Sequence, residues 1–287
     1  MKLENAIGWA ATALIWLIFF LGASAAWQGE DLLLKANAVL ALPVCLWLLR
    51  VMTAGKYAPW RGAMQFASFW MVFALFKSIR QVWIHRVFDA ELLAIDRRLW
   101  GGASLPEHCL PLESYWLSEW VSFGYIQFYL VMLLPVVWFA WKRRSSEARC
   151  FFLGLTLMYC FGFAGYLLIP AGGPFIAFPS VFPYPPAGGP ITGFLAGMVA
   201  QGVTGMDVFP SLHCGATLYV LGFFALGSLD PEKRAYLPVA VVLTLVFIPL
   251  LLATVYMRYH YGVDLLAGAA LAVSVLAYVQ KKRFERS

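Results

Sequence analysis

The sequence predicts an all-α protein: a polytopic membrane bundle of about eight helices with one amphipathic helix on its surface. Three observations lead there. Of the 287 residues, 62% are hydrophobic and only 13% charged, whereas a soluble domain of this length carries about a quarter charged residues. The apolar residues gather in eight runs of about 20, the length of a helix that crosses a hydrocarbon core. The charges fall mostly in the short interruptions. In lipid only helices and closed barrels satisfy every backbone polar group, and runs this long belong to helices. Twelve Trp and thirteen Tyr suit two membrane interfaces, where amphipathic rings settle.

The runs cover residues 7–27, 32–52, 63–84, 117–141, 150–169, 211–228, 237–256 and 263–280. The first has the look of a signal peptide, with one lysine before a long apolar stretch. AWQGEDLLLK leads straight from it into the second run, so a retained helix is expected. Placing the N-terminus in the cytoplasm puts 14 of the 21 basic residues on the inner side: Lys2, Arg50, Lys56, Arg61, Lys142, Arg143, Arg144, Arg149, Lys233, Arg234, Lys281, Lys282, Arg283 and Arg286. Lys35, Lys77, Arg80, Arg86, Arg97, Arg98 and Arg258 remain outside. The positive-inside rule therefore places both termini in the cytoplasm. The short loops and compact chain suggest a bacterial inner membrane, with the outer surface facing the periplasm.

Two segments stay outside the runs. In 85–116, FDAELLAIDRRLW has apolar residues at 88, 92, 93, 95, 99 and 100 and reads as an amphipathic helix on the membrane surface, ending at Gly101-Gly102. The segment 170–209 is rich in Pro and Gly yet apolar, unlike a flexible linker; it reads as a loop at the bilayer surface that covers something. No repeat or second soluble domain is visible. The net charge of +6 sets topology and does not indicate nucleic acid. The five cysteines show no CxxC spacing, and four of them fall in or beside apolar segments as small hydrophobes.

The unusual polar residues collect on the outer face. His213 opens the sixth run within FPSLHCG. Arg258, His260 and Asp264 lie between the seventh and eighth, within ATVYMRYHYGVDLLAG. The two histidines are 47 residues apart: one helix down, a turn and one helix back. His260 and Asp264 are at i and i+4, on one face of a helix. A carboxylate there accepts the proton of one ring nitrogen and leaves the other free to attack an electrophile or take a proton. Ser211 stands at a helix N-terminus, where free N–H groups and the dipole favour phosphate, and it also serves as an N-cap. Arg258 adds a fork for phosphate oxygens. A phosphoryl group attacked by one imidazole, with the leaving oxygen protonated by the other, uses each part and requires no metal and no cofactor. A metal site on the same three residues is the other reading, but such sites usually bring more ligands.

These motifs resemble the type 2 phosphatidic acid phosphatase (PAP2) superfamily, more closely its branch of inositol phosphorylceramide synthases. SLH within FPSLHCG and RYHYGVDLLAG carry the likeness, with YLLIPAGGP (166–174) and AIDRRLWGG (94–102) beside them. It spans roughly 85–270, which divides the chain into N-terminal helices, 1–84, and a PAP2-like core, 85–287, in one membrane domain. The resemblance implies that His213 is the general acid, His260 the nucleophile that becomes phosphorylated and Asp264 its orienter. Two departures stand out. The basic first motif of many members is missing, with Phe175 after Gly-Gly-Pro and no basic residue between 150 and 232. The arginine that phosphatase-type members carry six residues before the nucleophile is Thr254 here. Replacements for this clamp are sought in Arg258, Lys77 and Arg80; charges inside an apolar segment, as at 77 and 80, are often functional. His85 and His108 read as solvated, Arg97 and Arg98 as a solvated face, and Tyr166, Tyr256 and Tyr261 as interface aromatics.

The expected function is phosphoryl transfer at the outer leaflet through a phosphohistidine, with a lipid phosphate or phosphodiester as substrate. Discharge by water makes a lipid phosphatase, placed first. Discharge by an alcohol acceptor makes a phosphoalcohol transferase acting on a sphingolipid or glycerolipid. A lipid transporter or scaffold that kept the fold is the reading from another class.

Overall fold

The computed structural model describes residues 2–54 and 59–284; Lys56 and Arg286, counted above for orientation, lie outside them. The described residues form helices and connecting turns: α1 (Lys2–Gln28), α2 (Leu32–Thr53), α3 (Arg61–Phe73), α4 (Phe76–Val82), α5 (Asp89–Leu99), α6 (Leu105–Cys109), α7 (Tyr115–Trp141), α8 (Ser146–Leu168), α9 (Pro174–Ala177), α10 (Pro190–Gly202), α11 (Leu212–Gly227), α12 (Tyr236–Tyr256) and α13 (Gly262–Phe284). Six of them (α1, α2, α7, α8, α12 and α13) are long and apolar enough to cross a membrane.

The expected count of eight is not reached, for two reasons. The third run is broken: α3 and α4 meet at a 42° bend, and only taken together do they make a seventh span. The sixth run, α11, has 16 residues, about 24 Å at 1.5 Å per residue against a core of about 30 Å. α11 is the buried centre of the bundle, packed against α13, α12, α8 and α7. The long helices turn Leu17, Phe20, Leu40, Leu134, Val137 and Leu245 outward, an apolar belt too extensive for water. Exposed Trp27, Trp83 and Trp116 sit near one end of the bundle; Trp60 and Trp141 sit at the other. The chain is thus built as an integral membrane protein with two aromatic girdles.

One end of the bundle is held by charge. Glu147 at the start of α8 pairs with Arg283 of α13 at 2.5 Å and with Lys233 of the α11–α12 connection at 3.1 Å. The histidines lie at the opposite end of α11 and α13. There α5 forms where the amphipathic pattern predicts, ending at Gly101 and Gly102 with φ of 79° and 105°. Segment 170–209 differs from the predicted loop, because it contains α9 and α10. α10 forms against α7 because Glu119 accepts the N–H groups of Gly189, Ile191 and Thr192 at 2.8–3.1 Å, satisfying donors that the first helical turn leaves open.

Candidate active site

His213 and His260 are brought together by two helix termini. Ser211 caps α11, its Oγ accepting the Cys214 N–H at 3.2 Å, so His213 stands in the first turn. α12 ends in a Schellman arrangement: Arg258 N–H donates to Val255 O, and the N–H groups of Tyr259 and His260 both donate to Thr254 O. Arg258 occupies the left-handed position with φ of 63°, where glycine is the usual residue. The chain therefore turns sharply and delivers His260 just ahead of α13. A backbone bond from Ser211 N–H to Asp264 O, 3.1 Å, ties the two termini to each other. The helices behind them pack with no side chain between: a Cβ on Gly268 would stand 2.3 Å from Ser211 O, and one on Gly215 2.7 Å from Gly268 O.

His213 Nδ1 lies 3.3 Å from His260 Nε2. Asp264 Oδ2 lies 3.5 Å from His260 Nδ1 and accepts the Tyr261 N–H at 2.9 Å. His260 is 3% exposed and Asp264 0%. Ser211 Oγ is 3.5 Å from His260 Nε2. The fourth member was not foreseen: Tyr125 of α7 places its hydroxyl 2.9 Å from His213 Nε2. One assignment of protons suits every contact. His260 keeps its proton on Nδ1, toward Asp264, which leaves a lone pair on Nε2. His213 then carries its proton on Nδ1, between the rings, and Tyr125 donates to its Nε2. Burial pushes the pKa of His260 down to about 4, against the opposing charge of Asp207, so the ring is neutral and nucleophilic in ordinary buffers.

Both rings face a cavity of about 190 Å³. Its walls come from α3, α7, α8, α10 and the strap before α11, and they are strongly aromatic, with Trp70, Tyr125, Phe128, Tyr159, Phe163 and Tyr259 among them. Leu195, Met198 and Val199 of α10 close one side, so segment 170–209 does cover the site. Apart from the histidines, the ionisable side chains of the lining are tyrosines and Asp207. Burial raises the Asp207 carboxyl pKa, while a hydrogen bond from Thr204 lowers it. Among the described residues, no Lys or Arg lines the cavity.

The four sequence candidates for substrate contact are placed differently. Ser211 is both cap and neighbour of His260. Arg258 is 1% exposed and ion-paired to Glu113, with Nε and Nη1 unpartnered; it is not among the residues that line the cavity. Lys77 is half-buried on α4 and does not line the cavity. Arg80 donates to Ile84 O at 2.7 Å, its stem near Gly205. Tyr166, Tyr256 and Tyr261 are buried, not interfacial: Tyr166 lines the cavity, Tyr256 holds Ser114 and Ser118, and Tyr261 bonds Asp89. His85 and His108 are exposed as expected. No single residue pattern marks Tyr125 or Asp207, since an aromatic inside an apolar helix reads as core and an acid in a loop reads as solvated.

The family model of the PAP2 superfamily matches residues 90–278. No curated protein and no solved structure matches the chain.

Proposed function

The chain belongs to the PAP2 superfamily, and on that premise we propose that it is a membrane phosphoryl-transfer enzyme in which His260 carries the phosphoryl group. The observation that supports this best is the row Asp264, His260, His213, Tyr125, whose two ring nitrogens meet 3.3 Å apart at the wall of a cavity. In the first step His260 Nε2 bonds to phosphorus while the P–O bond to the lipid alcohol breaks. As the anionic phosphate binds beside it, His213 takes up a second proton on Nε2 and becomes an imidazolium; its Nδ1 proton then passes to the leaving oxygen, which returns the ring to the neutral form, and Asp264 holds the imidazolium that forms on His260. In the second step an acceptor hydroxyl gives its proton to His213, its oxygen bonds to phosphorus and the N–P bond breaks. The 3.5 Å gap between His260 and Asp264 shortens as charge develops. Ser211 and the first N–H groups of α11 receive a phosphate oxygen.

The lining favours a phosphodiester donor. A monoester dianion calls for cationic partners, and no Lys or Arg among the described residues lines the cavity; a diester carries one charge, within reach of a helix terminus and hydroxyl donors. Transfer of a phosphoalcohol to a lipid alcohol, as the likeness to inositol phosphorylceramide synthases implies, thus moves ahead of monoester hydrolysis. The basic residues of the α7–α8 and α11–α12 connections and of the end of α13 lie at the end away from the histidines, which supports a site at the outer leaflet, in a bacterium the periplasmic side.

The test is purified protein in detergent with radiolabelled lipid monoesters and diesters, with and without polyol or lipid-alcohol acceptors, wild type beside His260→Ala. A new lipid formed only with an alcohol acceptor is expected. Free phosphate from a monoester makes the protein a phosphatase instead. Equal turnover by wild type and His260→Ala removes the role given to His260.

A further inference from the structure

The phosphohistidine reading leaves two buried carboxylates without a task. Asp89 is 4% exposed and Asp96 0%. They stand seven residues apart, two turns on one face of α5. Neither has a cation within ion-pair distance among the described residues, and each accepts three neutral donors. Asp89 takes the N–H groups of Gly172 and Gly173 at 3.0 and 2.8 Å and the Tyr261 hydroxyl at 3.0 Å. Asp96 takes Trp100 Nε1 at 3.0 Å, Leu105 N–H at 2.9 Å and Val263 N–H at 2.8 Å. Burying a carboxylate is costly unless donors converge on it, and here they converge from the segments that build the site. Tyr261 follows His260, Val263 precedes Asp264, and Gly172 lines the cavity.

We infer that Asp89 and Asp96 are positioning residues, which clamp the turn 260–264 from outside so that His260 and Asp264 keep their reactive geometry; the inference rests on the phosphohistidine reading. The contact is flush. A Cβ on Gly262 would stand 2.5 Å from Trp100 Nε1 and 2.9 Å from Asp96 Oδ1, so only glycine lets the carboxylate reach the Val263 N–H. That N–H belongs to the first turn of α13 and has no partner inside its own helix; Asp96 caps it from a different element. His260 is thereby fixed through Tyr261 and Val263, the residues that lead from it into α13. The surface helix is thus a brace for the catalytic turn, with its outer face, Ile95, Arg98 and Leu99, turned to the surroundings.

The experiment follows hydrolysis of an alkyl p-nitrophenyl phosphate in detergent micelles. This diester's leaving group departs without a proton, so the rate reads attack by His260. Asp96→Ala removes three bonds to the turn and its supports, and is expected to lower kcat about 100-fold, the order of loss for a misplacement near 1 Å, with KM within about threefold. Asp96→Asn keeps an acceptor for Val263 and is expected to recover most of that loss. Tyr261→Phe, which removes one bond to Asp89, is expected to cost about tenfold in kcat. Arg98→Gln, on the outer face of the same helix, stays at the wild-type rate. If Asp96→Ala does not accumulate as folded protein, Tyr261→Phe decides. Wild-type kcat in Tyr261→Phe, or a loss in Asp96→Ala confined to KM, overturns the inference. His260→Ala separates the two levels: if it is active, the phosphohistidine reading itself fails, and if it is inactive while the clamp variants are normal, only the clamp fails.

Discussion

Replacing Gly268 by alanine should separate the two histidines without touching either. Gly268 of α13 faces Ser211 at the start of α11, and an added Cβ would stand 2.3 Å from Ser211 O. An ordinary close C···O contact is about 3.3 Å, so the seam must open by about 1 Å. The obstacle is backbone on a rigid helix terminus, which cannot swing aside as a side chain would. His213 is two residues from Ser211, while His260 and Asp264 lead into α13, so the opening falls on the 3.3 Å contact between the rings. A displacement of that size costs about 100-fold in rate. Gly215→Ala, whose Cβ would stand 2.7 Å from Gly268 O, should cost less, so the two variants form an ordered pair. The assay is turnover in detergent of wild type and both variants, with thermal midpoints measured in parallel. Wild-type turnover in Gly268→Ala would refute the reasoning that this glycine seam sets the distance between the rings.

Four further outcomes follow from the structure. Tyr125→Phe removes the hydroxyl that fixes His213; a net hydrogen bond of about 1 kcal/mol corresponds to roughly a fivefold loss of kcat, with substrate binding unchanged in direct titrations. The pH profile of kcat/KM reports the free enzyme. Because His260 must be neutral to attack and burial lowers its pKa to about 4, the acid limb should fall near pH 4 and not near 6.5. Asp207→Asn removes the charge that opposes that shift, and should move the limb lower still. Glu113→Gln leaves Arg258 buried without its partner. Because Glu113 keeps 28% of its side chain exposed, the loss of stability should lie nearer 2 than the roughly 3–5 kcal/mol of a fully buried pair, measured by thermal unfolding in detergent.

The architecture was legible where the information is local. Apolar runs of bilayer length and the FDAELLAIDRRLW pattern with its Gly-Gly stop each carry their reading within a short window; His260 and Asp264 do approach each other, but His260 precedes α13 instead of sharing a helix face with Asp264. What stayed hidden is set by contacts between distant segments. α10 reads as loop because Gly193, Gly197 and Gly202 lower its helical propensity, and it forms because Glu119, about 70 residues earlier, caps its first turn. Arg258 looks like a phosphate fork in sequence, yet it pairs with Glu113, 145 residues away, and is not among the residues that line the cavity. Tyr125 reads as apolar bulk and Tyr261 as an interface aromatic, and only the fold sets their hydroxyls against His213 and Asp89. Asp89 and Asp96 read as the polar face of a surface helix, because nothing in the local pattern shows that this face is the buried one. The bend after Phe73 has no proline to announce it.

The central claim is that His260 forms a covalent bond to phosphorus. The most direct measurement is rapid quenching of the wild-type protein during turnover of a ³²P-labelled lipid phosphodiester, followed by peptide mapping under alkaline conditions that preserve phosphohistidine. The account predicts an acid-labile, alkali-stable label on His260, absent from His260→Ala. His213→Ala should still accept the label when the leaving group is p-nitrophenolate. Label on His213, or full turnover with no labelled protein at any time point, would contradict it.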